Sequence, residues 1–420
     1  MIFTDAKSVI QHLYALPILH PKNDLSYIRK VLAKLGDPQN DVKTIHVTGT
    51  NGKGSTSYYL SNLLKKAGQK TGLFVSPYIR AFNERIQING EFIPDENLVK
   101  LANQVEKVID ELRKSDPDFS LVTFEYEVAL AFLYFSKEKC DYTVIEVGIG
   151  GKHDKTNVIY PELSIITTIG LDHEKIIGPT IEDIAKEKSG VIKANSPVVL
   201  GNISDNVLSI LEAKAKKENS SVYLLQRDFK IKNSCKLEYS FQNRKLEFNH
   251  RPEVEEYDIA IATTAFLLLD LPLSSKDLEA AINATVIPGR YQLIEQHPDI
   301  ILDGAHNIQA MNNLLNFVRK SYANVTRIKV LIAMMKDKDL EKVFSLFKNE
   351  EVTLTSIPYP RAAKLDDFPK DVQTRYPYVK DYQKAFRLLQ DDLKDDEVLL
   401  VTGSFYLVSG ILNMEDKDES

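Results

Sequence analysis

The sequence predicts a two-domain α/β protein with mostly parallel sheet. Three observations carry this. Short β-branched runs alternate with longer amphipathic segments along most of the chain. A glycine-rich loop, Gly49-Thr-Asn-Gly-Lys-Gly-Ser55, joins one such run to a helical pattern. The rhythm breaks at Ile287-Pro-Gly-Arg290 and then restarts. The 420 residues also exceed what one hydrophobic core usually holds.

Taken in order, residues 44–48, 72–75, 142–147, 163–169 and 198–200 read as strands. Tyr59, Leu60, Leu63, Leu64 and Ala67 recur at helical spacing until Gly68 stops them. Residues 230–248 differ: Leu237, Tyr239 and Phe241, then Leu246 and Phe248, alternate around polar Gln242-Asn-Arg244, which predicts a small antiparallel hairpin. Beyond the break, strands are expected at 300–302, 328–333, 352–356 and 398–401. We place the domain boundary at residue 294, giving domains 1–294 and 295–420, and expect the acidic tail 414–420 to be disordered.

A formal charge of −6 argues against a general nucleic-acid binder, whose partner favours a basic surface. Cys140 and Cys235 give no disulfide framework and fit a reducing compartment. The N-terminal segment has no basic region followed by an apolar one, and no run nears the roughly 18 to 20 apolar residues that span a bilayer. The expectation is a cytoplasmic protein with neither membrane nor nucleic acid as partner.

The glycine loop has physical meaning because a strand precedes it and a helix follows. Glycines let backbone N–H groups turn toward phosphate oxygens, and the helix N-terminus adds positive potential. Lys53 supplies a mobile charge. The loop departs from a Walker A motif: Val47 stands where the first glycine belongs, and Gly54 intervenes before the hydroxyl of Ser55. The alternative is a strand–helix turn without a ligand. Further on, Glu146 interrupts an apolar strand near its carboxyl end, where α/β sheets bind ligands. It reads as a Mg²⁺ ligand or as a partly exposed strand-end glutamate. His173, after the next strand, reads as a cation ligand or as a hydrogen-bonded structural histidine. Lys186 and Lys188 read as favourable charges near a helix C-terminus.

With these segments in order, the chain resembles the folylpolyglutamate synthase/dihydrofolate synthase family of the Mur ligase superfamily. The resemblance runs from about residue 20 to 410 through Thr48-Gly-Thr-Asn-Gly-Lys-Gly-Ser55, Ser76-Pro-Tyr78, Phe82-Asn-Glu-Arg-Ile86, Glu146-Val-Gly-Ile-Gly-Gly151, Gly170-Leu-Asp-His173, Glu187-Lys-Ser-Gly190, Gly289-Arg290, Asp303-Gly-Ala-His-Asn307 and Thr402-Gly-Ser-Phe-Tyr406. It implies a P-loop NTPase-like Mur-ligase central domain with a mostly parallel sheet, plus a smaller Rossmann-like C-terminal domain. It also implies an ATP-driven amide ligase that joins L-glutamate to the γ-carboxylate of tetrahydrofolate, or to dihydropteroate, through an acyl phosphate.

The resemblance further assigns roles. Thr50, Asn51, Gly52, Lys53, Gly54 and Ser55 would hold ATP, with Asp258, Arg290 and Asp303. Ser76, Glu146 and His173 would ligate two Mg²⁺ ions, and Lys53, His173 and Lys188 would serve catalysis, Lys188 as a carbamylated lysine. His306 and Ser404 would receive glutamate; Tyr78, Phe82 and Arg85 would lie on the folate side. A monomer is implied. The chain departs from the family at Asp258, which replaces the usual asparagine near adenine, and at Lys152-His-Asp154, which replaces Arg-Leu-Asp. The competing readings are a peptidoglycan-precursor Mur ligase, disfavoured because few residues precede Gly49, and a nucleotide-binding switch ATPase, which would not need His306 and Ser404.

Overall fold

The computed structural model describes residues 2–20 and 24–418, and the chain divides into two compact units. The first comprises Met1–Arg251 with Glu255–Thr285, the second Pro252–Val254 with Val286–Ser420. The break thus falls between Thr285 and Val286, and residue 294 lies inside a strand of the second unit.

The first unit is built on an eight-stranded sheet: β1 (Lys43–Thr48), β2 (Thr71–Phe74), β3 (Ile86–Ile88), β4 (Glu91–Phe92), β5 (Tyr142–Glu146), β6 (Leu163–Thr168), β7 (Val198–Asn202) and β8 (Val222–Leu224). Their spatial order is β4-β3-β2-β5-β1-β6-β7-β8. All pairings are parallel except those of β3 with β2 and β4. β1, β5 and β6 are buried almost throughout, their threonines and serine included, because helices cover both faces of such a sheet. One core packs under the helices Asp95–Arg113 and Thr123–Lys137, another under Ile181–Lys188 and Asp205–Lys217.

The expected hairpin is one strand larger. β9 (Phe229–Asn233), β10 (Leu237–Phe241) and β11 (Arg244–Phe248) form an antiparallel meander, with Phe229 and Ile231 buried on the added strand. Lysines at 230 and 232 alternate with them on the exposed face, the same period-2 pattern as in β10 and β11.

The second unit holds six strands: β12 (Gln292–Glu295), β13 (Asp299–Leu302), β14 (Arg327–Ile332), β15 (Glu351–Ser356), β16 (Tyr378–Asp381) and β17 (Glu397–Thr402). Their order is β12-β13-β17-β14-β15-β16, parallel except at the β12 edge. The last strand, β17, inserts between β13 and β14, and this reversal of strand order leaves a crevice-forming position at the carboxyl ends of β13 and β17. The final helix, Phe405–Asp418, carries Met414 and the acidic residues after it, where disorder was expected; Glu419 and Ser420 lie outside the described residues. Among the described residues no helix is long and apolar enough to cross a membrane.

Candidate active site

The glycine loop is shaped by the strand that enters it and by the strand beside it. Thr50 N donates to Thr168 O and Asn51 N to Thr168 Oγ1, both at 2.9 Å, while Thr167 Oγ1 donates to Asn51 O at 2.5 Å. A Cβ at Gly49 would lie 1.9 Å from Thr167 Oγ1. At Gly52, where φ is +83°, it would lie 2.3 Å from Asp258 Oδ1, so both space and backbone demand glycine there. Gly52 caps the helix Lys53–Lys66, whose first-turn N–H groups lack intrahelical acceptors.

Two lysines converge on one carbonyl of this loop. Lys53 Nζ donates to Gly49 O at 3.0 Å, and Lys188 Nζ donates to the same oxygen at 2.9 Å. Lys188 closes the helix Ile181–Lys188 and is only 5% exposed. Burial, and then the neighbouring charge of Lys53, push its amine down to about 7, so a large share is neutral at neutral pH.

Glu146 ends β5 next to β1, in register with Val47, and is buried. Ser76 N donates to its Oε2 at 2.9 Å, and a Cβ at Gly54 would stand 3.7 Å from its Oε1. The carboxylate therefore faces the first turn of the phosphate helix, close to Ser55. His173 is half exposed, with φ +54°, and its Nε2 lies 3.6 Å from Asp172 Oδ2. Among the described residues no three His, Cys, Asp or Glu side chains gather as a metal-binding group. Asp258 is buried against the loop, accepting from Thr56 Oγ1 at 3.3 Å.

One buried polar residue that braces the site escaped sequence reasoning. His46, wholly buried in β1, contacts Thr156 Oγ1 through Nε2 at 2.8 Å, and burial holds it down to about 3. Thr156 Oγ1 donates onward to Asp154 Oδ1 at 2.5 Å, so the neutral ring donates from Nε2. Asp154 Oδ2 accepts from Ile149 N at 2.9 Å, and Thr48 Oγ1 donates to Gly150 O at 2.6 Å. β1 thus holds the 148–151 loop at two points. The available signal was a histidine set between Ile45 and Val47, the two apolar residues of the strand.

Tyr78, Phe82 and Arg85 come together. The Arg85 guanidinium lies 5.2 Å from the Tyr78 ring and 5.8 Å from that of Phe82. Its Nε is 3.4 Å from Oε1 of buried Glu127, and the hydroxyls of Tyr14 and Tyr78 are 2.6 Å apart. Burial raises the Glu127 carboxyl, and Arg85 opposes that rise.

In the second unit, Arg290 lies 4.5 Å over Phe405, whose ring is 5.9 Å from that of His306. Asp303 is buried and accepts from Tyr291 N at 3.0 Å and Ala305 N at 2.7 Å; burial raises its carboxyl while Arg290 lowers it. His306 Nδ1 donates to Gly304 O at 2.9 Å. Ser404 Oγ accepts from Tyr406 N at 3.1 Å. These residues cluster at the carboxyl ends of β13 and β17, where the strand order reverses.

A lysine-bearing phosphate cradle on one parallel sheet, and a second parallel-sheet unit with polar groups at its strand ends, define a nucleotide-using ligase class. Residues 47–265 match the Mur ligase middle domain, and residues 289–405 match the Mur ligase glutamate ligase domain. The chain is 32% identical over 416 residues to the folylpolyglutamate synthase of Lacticaseibacillus casei, covering 96% of each. It superposes on an FPGS–AMPPCP–folate complex with a TM-score of 0.85, at 31% identity, covering 98% of this chain and 100% of the other. E. coli FolC in complex with DHPP and ADP gives a TM-score of 0.89, at 25% identity, with 99% of each chain covered. The chain belongs to the folylpolyglutamate synthase/dihydrofolate synthase family of Mur ligases.

Proposed function

We propose that this chain joins L-glutamate to the γ-carboxylate of tetrahydrofolate at the expense of ATP, with dihydropteroate as an alternative acceptor. The observation that carries the reading is the convergence of Lys53 and Lys188 on the Gly49 carbonyl, inside a loop that Thr167 and Thr168 hold in shape. A carboxylate is a poor electrophile, so it must first be activated. Its oxygen attacks the γ-phosphorus of ATP, the bond to the β-phosphate oxygen breaks, and an acyl phosphate and ADP result. The glutamate amine then adds to the acyl carbon, and the tetrahedral adduct expels phosphate. Lys53 and the loop amides of Thr50–Ser55 offset charge on the phosphoryl oxygens, the main electrostatic demand of such a transfer. Asp258, Arg290 and Asp303 serve as further nucleotide contacts. His306 and Ser404 receive the incoming glutamate, and Tyr78, Phe82 and Arg85 face the folate.

The oxygen donors of Ser55, Ser76 and buried Glu146 suit a hard divalent cation. Bound there, Mg²⁺ would polarise phosphoryl oxygens; His173 would serve a second ion. Lys188 is depressed far enough to present a neutral amine, which can add CO₂ and release a proton to become a carbamate. That group would carry a negative charge where an ammonium stood. The enzyme acts as a monomer in the cytoplasm.

The test is incubation with ATP and labelled L-glutamate, using tetrahydrofolate and dihydropteroate as separate acceptors. An amide product with stoichiometric ADP is expected. ATP hydrolysis without any amide product would favour the switch-ATPase reading and sink this one.

A further inference from the structure

Between Phe82 and Arg85 stands a carboxylate that the proposed reaction does not use. Glu84 lies in the short helical turn Phe82–Arg85 and is 1% exposed. Its Oε2 accepts from Ile79 N at 3.0 Å and from Arg80 N at 2.8 Å. Burial raises its carboxyl, and the N–H groups of Arg80 and Ile79 oppose that rise. A third donor comes from Tyr58, in the phosphate helix Lys53–Lys66. Gln87 Nε2 can only donate, so the Tyr58 oxygen accepts from it at 3.0 Å and the Tyr58 proton needs another acceptor. That acceptor is the Glu84 carboxylate. Gln87 Nε2 also donates to Glu84 O at 2.8 Å, which closes the ring of contacts. A second carboxylate holds the start of the same loop, where Ser76 N donates to Glu146 Oε2 at 2.9 Å.

We infer that Glu84 is a positioning residue for the ligation: it fixes residues 76–80 against the phosphate helix and so sets Ser76 and Tyr78 relative to Lys53. This rests on the roles proposed for those three residues. The type of side chain supports it. A glutamine here could accept both backbone N–H groups without burying a charge, and a role in packing alone would favour it. With both lone pairs of its oxygen taken by Ile79 and Arg80, however, glutamine would turn an N–H toward Tyr58, and the Tyr58 proton would lose its acceptor. The charge is therefore explained by the tie to the phosphate helix. Glu146 holds one end of the loop and Glu84 the other, so a metal ligand and a folate contact share one braced segment.

The experiment measures hydrogen exchange of the 76–81 segment in the free protein, KM for tetrahydrofolate and for L-glutamate, and the Mg²⁺ concentration for half-maximal ligation. It compares the wild type with Glu84→Ala, Glu84→Gln, Tyr58→Phe and the Glu84→Gln/Tyr58→Phe double variant. Glu84→Ala should speed exchange and raise the tetrahydrofolate KM and the Mg²⁺ requirement about tenfold. KM for L-glutamate, whose proposed contacts belong to the second unit, should stay within about twofold. Glu84→Gln should keep exchange slow and lose about threefold, as should Tyr58→Phe. The double variant should be no worse than either single one, because all three break the same hydrogen bond. Faster exchange in Glu84→Ala with the tetrahydrofolate KM and Mg²⁺ requirement unchanged would leave Glu84 a structural carboxylate and overturn the inference. Losses that add in the double variant, or an equal rise in the glutamate KM, overturn it too, with the ligase reading intact. If Glu84→Ala does not fold, the Glu84→Gln and Tyr58→Phe cycle decides alone. A wild type that ligates neither tetrahydrofolate nor dihydropteroate removes the function itself, and the inference with it.

Discussion

Replacing Lys188 with methionine should abolish a pH dependence of stability that burial of its amine creates. The amine falls from its ordinary 10.5 to about 7, a difference of about 5 kcal/mol between the neutral and charged forms at roughly 1.4 kcal/mol per unit. Between those two values the unfolded chain holds a proton on this lysine that the folded chain has released. Wild-type stability therefore rises as pH rises from about 7 toward 10.5, and this contribution is lost as pH falls back to 7. Lys188→Met has nothing to titrate there. The stability difference between the two proteins should move in favour of the wild type by about 2 kcal/mol from pH 7 to pH 9. Urea denaturation in CO₂-free buffer checks this, followed by circular dichroism because the chain has no tryptophan. Parallel curves for the two proteins would show that Lys188 is an ordinary charged lysine and would remove the basis for its carbamate.

Lys53→Ala should abolish amide formation while leaving the circular dichroism spectrum unchanged, since among the described residues its Nζ bonds to Gly49 O and Thr50 O of the loop it serves. Gly52→Ala forces a side chain at φ +83° into Asp258, and should weaken nucleotide binding measured by calorimetry while costing on the order of 1 kcal/mol in backbone strain. Arg290→Ala removes the cation that opposes the burial-driven rise of Asp303, so that carboxyl should move further up and KM for ATP should increase most at low pH. In ¹³C-bicarbonate, wild-type protein should show a carbamate carbon resonance that Lys188→Met lacks.

Residues that act through local sequence were readable; residues that act through distant partners were not. The central strands were found because β-branched and apolar residues crowd β1, β5 and β6, which the fold buries almost throughout. β4, β12 and β16 are short edge strands and β3 is only three residues long, so each left little pattern, and the boundary was placed at residue 294, inside half-exposed β12. The glycine loop announced itself, because its chemistry lies in consecutive residues. Motif order led to Lys188, but only the fold shows its amine on the carbonyl of Gly49, 139 positions away. Tyr14 and Glu127 join the Tyr78–Arg85 group in the same manner, each contributed by a helix whose own pattern reads as plain packing.

The position of β1 governs the order in which the molecule can assemble. Its partners are β5 and β6, at residues 142–146 and 163–168, and the loop amides of Thr50 and Asn51 are held by Thr168. The β9–β11 meander joins neighbours in sequence and can close quickly, whereas the phosphate cradle waits on contacts across more than a hundred residues. A growing chain therefore exposes Gly49–Ser55 long before Thr168 exists to shape it, and nucleotide can guide folding only after β6 has been made.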